Sequence, residues 1–162
     1  MNPDIAAFTR LMKNPFTVRM FLLSKLPSAY FTGVRIKEIT ESKCVTTVPY
    51  KWFSKNPFRS TYFASLAMAA EMSTGALALA HLYKRTPSVS MLLVRLEAEY
   101  FKKATDRSTF TCNDGELIHK AIEESIASGE ARMVKAKSIG TNNAGETVAE
   151  FFITWSFKAR RE

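Results

Sequence analysis

A long apolar segment in the middle of the chain constrains the fold more than any other feature. It runs from about Asn56 to Tyr83, and Glu71 is the only carboxylate between Arg59 and His81. A helix that is apolar on all sides is either a membrane span or the buried centre of a fold. A span usually needs about 20 apolar residues without a charge, so Glu71 favours the second alternative. We therefore predict one long buried helix, entered through a loop and wrapped by a twisted β-sheet.

Glu71 is the most informative residue of this segment. Burial of an unpaired carboxylate is costly, so such a group pairs, takes up a proton or takes part in chemistry. Carboxylates with perturbed pKa values cluster at functional sites. Two structural alternatives stay open at this stage: Glu71 lies on an exposed edge of the helix, or it binds nearby backbone.

Length and cysteine content place the chain among ordinary globular proteins. Its 162 residues suit a single domain, which we divide into an N-terminal helical extension (1–30) and a core (31–162). Cys44 and Cys112 fall in separate predicted strands without the spacing of a metal site. Together with an N-terminus that shows no secretory signal, they predict a cytoplasmic protein in a reducing compartment.

The charge of the chain narrows the choice of partner. The net charge is +8, and basic proteins attract nucleic acid, anionic membranes or phosphate-bearing small molecules. The basic residues are scattered rather than clustered among aromatics, so we expect no nucleic-acid partner. A phosphate-bearing group such as coenzyme A fits the excess charge better.

The remaining periodicities predict helices and strands on both sides of the central segment. Predicted helices cover 3–13, 16–26 and about 117–126, and predicted strands cover 33–40, 42–50, 89–103, 107–112, 130–139 and 146–158. A turn at 142–145 makes the last two strands a hairpin. The pattern is that of an α+β protein with an antiparallel sheet around a long helix, and the two N-terminal helices are expected to lie across an opening as a lid or brace.

The loop and helix resemble those of hotdog-fold acyl-CoA thioesterases, in particular the phenylacetate-pathway type and the DUF4442-type branch. In that family an Asn or Gln lies in the loop before the helix, a His-Gly-Gly or similar step opens the helix, and an Asp or Glu follows inside it. Here Asn56 matches the loop amide, Tyr62-Phe63-Ala64 occupies the opening step, and Glu71 matches the carboxylate. The two N-terminal helices and the helix near Leu117 are additions to the minimal fold.

This resemblance implies hydrolysis of an acyl-CoA or acyl-carrier thioester. The backbone N–H of Phe63 would donate to the oxyanion, and Asn56 would add a donor or hold the water. Glu71 would act as general base or as nucleophile, and its apolar surroundings should raise its pKa. No metal and no separate cofactor are expected, because coenzyme A enters only as part of the substrate.

The resemblance also implies a homodimer, or a dimer of dimers, whose active site uses both chains and whose paired edge is the strand 89–103. Arg59, Lys102 and Lys103 are candidate contacts for the phosphates or the pantetheine arm, with ordinary surface charge as the alternative. The candidate acyl-pocket residues are Tyr62, Phe63, Ala64 and Met68, with core packing as the alternative.

A second class of function remains open. The step Tyr62-Phe63-Ala64 lacks the family's glycine pair, which permits close approach of a substrate, and it lacks the histidine. These departures favour a non-catalytic acyl or acyl-CoA binding protein on the same fold. A dehydratase is a weaker alternative, because that chemistry generally uses a histidine and this helix offers only His81. His119 and Glu123 have helical spacing but are expected to be a solvated pair.

Overall fold

The computed structural model of the protein describes residues 3–160, so residues 1–2 and 161–162 of the predicted domain lie outside the described residues. The helices are α1 (Pro3–Lys13), α2 (Pro15–Lys25), α3 (Pro27–Thr32), α4 (Phe63–Leu82) and α5 (Gly115–Ser128), with a short 3₁₀ turn at Trp52–Ser54. The strands are β1 (Arg35–Ile39), β2 (Cys44–Val48), β3 (Val89–Tyr100), β4 (Ser108–Cys112), β5 (Arg132–Thr141) and β6 (Thr147–Ala159).

The strands form one antiparallel sheet in the order β1-β2-β4-β5-β6-β3. β5 and β6 are the predicted hairpin, and the N–H of Asn142 donates to the carbonyl of Glu146 across its turn. β3 pairs with β6 on one side only, so it is an outer edge of the sheet. Cys44 and Cys112 lie opposite each other on β2 and β4 as buried free thiols.

The predicted central helix is confirmed as α4, which lies in the concave side of this sheet. Its small residues allow close approach: Ala69 and Ala80 are fully buried, and the hydroxyl of Thr46 on β2 donates to the Ala69 carbonyl at 2.7 Å. By length and composition α4 could cross a membrane, but 67% of its apolar window is buried inside the protein. This burial is what a core helix requires.

The N-terminal region contains one helix that the sequence pattern missed. α2 ends at Lys25, one residue before the predicted end, and Pro27 then opens α3, because proline fits the first turn of a helix well. Gly33 ends α3 with φ +86°. A helix of six residues is too short to show a reliable hydrophobic period. α1 packs on β1 and α4, which is the position of a brace.

Details at the ends of β3 and α5 depend on residues that are distant in sequence. β3 ends at Tyr100 rather than at residue 103, because the N–H groups of Phe101 and Lys102 both turn towards the carbonyl of Val148 and the chain leaves the ladder. Asp114 is the N-cap residue of α5, but its carboxylate accepts the N–H of Lys137 at 2.6 Å instead of capping its own helix.

Candidate active site

The first turn of α4 presents two unpaired backbone donors. Tyr62 is the N-cap residue, with an extended backbone and no side-chain cap bond. Its carbonyl accepts the N–H groups of Ser65 and Leu66 at 2.9 and 3.3 Å. Among the residues that the structure describes, none accepts a hydrogen bond from the N–H of Phe63 or Ala64. Two free donors at the positive end of a helix are suited to stabilise an oxyanion.

Phe63, the first of these donors, lines a wide and mostly apolar cavity of about 750 Å³. Of the predicted site residues, Asn56, Tyr62, Phe63, Lys102 and Lys103 line it. Sequence reasoning missed the other large apolar lining residues, namely Phe58, Leu66, Tyr100 and Phe101. Their side chains come from the loop, from α4 and from the end of β3, which only the folded sheet brings together.

Asn56 organises the loop that leads into α4. Its Oδ1 accepts the N–H groups of Phe58 and Ser60 at 3.0 and 3.1 Å, and its amide nitrogen donates to Ser60 Oγ at 3.0 Å. Arg59 within this loop has a left-handed backbone, with φ +59°. Asn56 is therefore engaged in holding a tight turn, and its contact with a substrate stays a prediction.

Glu71 lies on α4 eight residues after Phe63, about 12 Å further along the helix axis. It lines a different cavity from that of Phe63. This cavity of about 290 Å³ is apolar apart from the carboxyl. It is roofed by side chains of α1 and α2 and reached by Met91 of β3. Among the described residues, none hydrogen-bonds the Glu71 carboxyl, and burial raises its pKa. This is the direction of the pKa shift that the sequence analysis predicted for Glu71.

Two neighbours of Glu71 were not anticipated from the sequence. A Cβ built on Gly75 would lie 2.9 Å from Glu71 Oε1 and 3.3 Å from Trp155 Cζ2. Trp155 is fixed by its Nε1–H, which donates to Thr74 Oγ1 at 3.0 Å. The glycine one turn after the acid was a signal available in the sequence, whereas Trp155 on β6 was not.

The other predicted site residues lie less favourably. Met68 is half-buried against the core and lines neither cavity. Arg59 is exposed and also lines neither. Lys102 is paired with Glu146, and Lys103 Nζ donates to the Phe58 carbonyl at 3.4 Å. Both lysines are thus partly engaged with the protein itself.

The histidines lie away from both cavities. The Nε2 of buried His81 is 2.9 Å from the carbonyl of Glu41, and the His81 and His119 rings are 5.2 Å apart. The side chains of His119 and Glu123 are 40% and 45% exposed, and His119 Nδ1 lies 3.8 Å from Glu123 Oε1. Among the described residues that line the two cavities, Glu71 is the one carboxyl, and none is a histidine. Within residues 3–160, the His, Cys, Asp and Glu side chains form no group that could hold a metal ion.

Solved structures with a similar fold include proteins described as thioesterases. Protein PA5026 of Pseudomonas aeruginosa, a probable thioesterase of unknown function, has a TM-score of 0.77 and 18% identity, covering 93% of this chain and 99% of its own. Thioesterase HI1161 of Haemophilus influenzae has a TM-score of 0.63 and 13% identity, covering 88% and 90%. A mutant of thioesterase PA1618 of Pseudomonas aeruginosa has a TM-score of 0.62 and 13% identity, and the match covers 99% of this chain and 97% of that protein. These likenesses establish the hotdog fold.

The family assignment comes from the sequence. A comparison with curated proteins finds no significant match. The model of the family described as "Domain of unknown function (DUF4442)" matches residues 17–157, which include the whole of α4 and nearly all of the sheet. The chain is therefore a member of the DUF4442 family, built on the hotdog fold.

Proposed function

We propose that the protein hydrolyses an acyl thioester, carried by coenzyme A or by an acyl-carrier protein. The observation that carries this proposal is the Glu71 carboxyl, which lies in an apolar cavity, has no hydrogen-bond partner among residues 3–160, and has a pKa that burial raises. A carboxyl in such a position destabilises the fold when it ionises, which is typical of a group retained for chemistry.

The proposed reaction uses groups that the chain supplies. The thioester carbonyl binds at the start of α4, where the N–H of Phe63 donates to its oxygen, aided by Ala64. Glu71 takes a proton from a water molecule, whose oxygen forms a bond to the carbonyl carbon. The carbon–sulfur bond then breaks, and the proton passes from Glu71 to the leaving thiolate. Direct attack by Glu71 to form an anhydride is the other route.

The separation of Phe63 and Glu71 supports a site made by two copies of the chain. In one chain they lie about 12 Å apart along α4 and in different cavities. β3 touches both cavities, since Met91 lines that of Glu71 and Tyr100 lines that of Phe63. If β3 pairs antiparallel with a second β3 about its centre, the Met91 end of one strand meets the Tyr100 end of the other.

The exposed edge of β3 is suited to this pairing. It is twelve residues long and unpaired on its outer side. Leu92, Val94 and Leu96 are exposed on it, and long apolar edges of this kind normally pair or are covered. A homodimer through β3 is therefore part of the proposal. The cytoplasmic location stays a separate prediction.

Binding without hydrolysis is the second candidate function. Phe63 and Ala64 carry side chains where the thioesterases that the loop and helix resemble carry glycines. The side chain of Asn56 hydrogen-bonds Phe58 and Ser60 of its own loop. Both features favour a protein that holds an acyl thioester without activating it.

A panel of acyl-CoA thioesters with a thiol-detecting reagent tests the proposal. We expect the wild type to release thiol and Glu71→Ala to lose about 100-fold or more in rate, as expected for loss of a general base. Glu124→Ala, which removes an exposed carboxylate of α5, is the matched control and should retain activity. Tight binding of acyl-CoA by the wild type without thiol release would establish the binding protein instead.

A further inference from the structure

A third cavity, of about 420 Å³, lies on the outer face of the sheet. Thr46 faces α4, because its hydroxyl donates to the Ala69 carbonyl, so Thr47 faces the opposite side. Arg35 pairs with Thr47 and shares that outer face. The cavity lies between this face, the end of α3 and the Trp52–Ser54 turn.

Four cations surround this cavity. Arg35, Lys37, Lys51 and Arg107 line it and are exposed, and none of the described residues that line it is acidic. Within the described part of the chain none of the four makes an ion pair, whereas Lys43, Lys135 and Lys137 are paired with glutamates at 2.7–3.0 Å. Unpaired like charges around one hollow attract an anion, and two arginines suit a phosphate because each can bind it through two N–H groups.

Three exposed aromatic rings stand beside these cations. Phe31 and Phe53 are stacked with their centroids 5.9 Å apart, and Trp52 meets Phe53 edge-on at 5.2 Å. Trp52 is 82% exposed, so one face of its indole is free. Exposed aromatic rings next to basic side chains are the combination that binds bases of nucleotides by stacking and their phosphates by charge.

We infer that this cavity binds a phosphorylated nucleoside, with its phosphates at Arg35 and Arg107 and its base against Trp52. The volume is within the range of small-molecule sites, about 300–1,000 Å³. The concave shape favours a small ligand over a flat membrane surface or an acidic protein, although both would be attracted by the same charge.

The position of the cavity connects it to the proposed hydrolase site. The carbonyl of Ser54 accepts the N–H of Tyr62 at 2.7 Å, so the Trp52–Ser54 turn separates this cavity from the start of α4. A thioester whose thiol carrier ends in a phosphorylated nucleoside, as coenzyme A does, would occupy both cavities. This connection rests on the proposed function and favours coenzyme A over a carrier protein; nucleoside binding itself does not depend on it.

Binding is tested with adenosine 3′,5′-bisphosphate, which carries no thioester. We expect calorimetric binding by the wild type, quenching of Trp52 fluorescence, and at least about tenfold weaker binding by the double variant Arg35→Gln/Arg107→Gln. Trp52→Ala should weaken binding and remove the quenching. The double variant Lys120→Gln/Arg132→Gln removes the same charge from exposed positions outside the cavity and should bind normally. Absence of binding, or equal loss in both double variants, would overturn the inference.

Hydrolysis assays separate this inference from the proposed function. Arg35→Gln/Arg107→Gln should raise KM for an acyl-CoA about tenfold with kcat retained, and should leave the same acyl group on pantetheine unaffected. Bisphosphate binding by a wild type that hydrolyses nothing would uphold the cavity and refute the hydrolase. Hydrolysis without bisphosphate binding would do the opposite. The inference would be overturned if Arg35→Gln/Arg107→Gln lost activity only towards carrier-protein thioesters, because the cations would then bind the carrier protein. It would also be overturned if this variant lost binding only to anionic vesicles, because the cations would then bind a membrane surface.

Discussion

The carboxyl of Glu71 lies against Gly75, one turn further along α4, and a Cβ at Gly75 would come within 2.9 Å of Glu71 Oε1. Trp155 closes the other side, with its Cζ2 3.3 Å from the same point. The missing side chain of Gly75 thus leaves the room that the carboxyl occupies, and the arrangement makes Gly75 a positioning residue for Glu71.

The variant Gly75→Ala should lower activity with little change in stability. Alanine is favoured over glycine inside a helix by about 1 kcal/mol, which offsets the displacement of a flexible carboxyl. Misplacement of a reacting group by about 1 Å can cost about 100-fold in rate, so we expect kcat to fall about 10- to 100-fold while Tm stays within about 3 °C. Unchanged kcat would show that the carboxyl has no required position.

The variant Glu71→Gln should stabilise the protein at pH 8 but not at pH 4. Burial raises the pKa of Glu71 above its ordinary value of 4.5, so the folded state binds its proton more tightly than the unfolded state. Stability from this group is present below pH 4.5 and is lost as the pH rises through the elevated pKa. Urea unfolding of both proteins at the two pH values measures the difference, and an equal gain at both would contradict the assignment.

His81 should make the protein less stable as the pH falls below about 6.5. Burial is the main cause that lowers the pKa of His81, and the nearby His119 adds to it, while the carbonyl of Glu41 and the charge of Glu116 oppose it. The unfolded chain therefore binds the proton more tightly, and stability is present above pH 6.5 and lost towards the lowered pKa.

The slope that His81 contributes should be at most about 1.4 kcal/mol per pH unit, the limit for one proton. His81→Gln can still donate to the Glu41 carbonyl but does not titrate, so its unfolding free energy should vary less between pH 5 and pH 7. A variant with the wild-type slope would assign the pH dependence to another group.

The parts of the fold that could be predicted are those whose own residues show a clear hydrophobic pattern over many positions. α4 is apolar on all sides, and the hairpin of β5 and β6 has an alternating period and a turn rich in Asn and Gly. α3 was missed because six residues give no period. The end of β3 was misplaced because the departure at Phe101 depends on the position of Val148, which is remote in sequence.

The candidate site was predictable where it lies on one helix. Phe63 and Glu71 are both on α4, where the resemblance to hotdog-fold thioesterases put the donor and the acid; their roles stay predictions. Trp155 and Arg107 were not predictable, because the fold brings them to Gly75 and to Arg35 from distant parts of the chain. The free cations around the third cavity were invisible for the same reason, since scattered positive residues meet only in the folded protein.

The variant Phe63→Pro tests the oxyanion donor itself. Proline lacks the N–H group but fits the first turn of a helix, and Tyr62, with φ −62° and ψ 134°, already has a backbone suited to precede it. We expect a folded protein with kcat lowered about 100- to 1,000-fold, the effect of losing one such donor. Phe63→Leu keeps the N–H and should lose much less. Equal losses in both variants would assign the role to the phenyl ring.

Combining two inactive variants tests whether the site is shared between copies. Suppose that Glu71 of one chain and the Phe63 N–H of the other form one site. A heterodimer of Glu71→Ala and Phe63→Pro chains then contains one intact site and one doubly defective site. Equal co-expression makes about half of the dimers mixed, so about a quarter of wild-type activity should return. Val94→Lys on the outer edge of β3, added to both chains, should abolish this recovery by separating the subunits. If mixed dimers isolated with two affinity tags stay inactive, each site is built within one chain, and the pairing of β3 has no catalytic role.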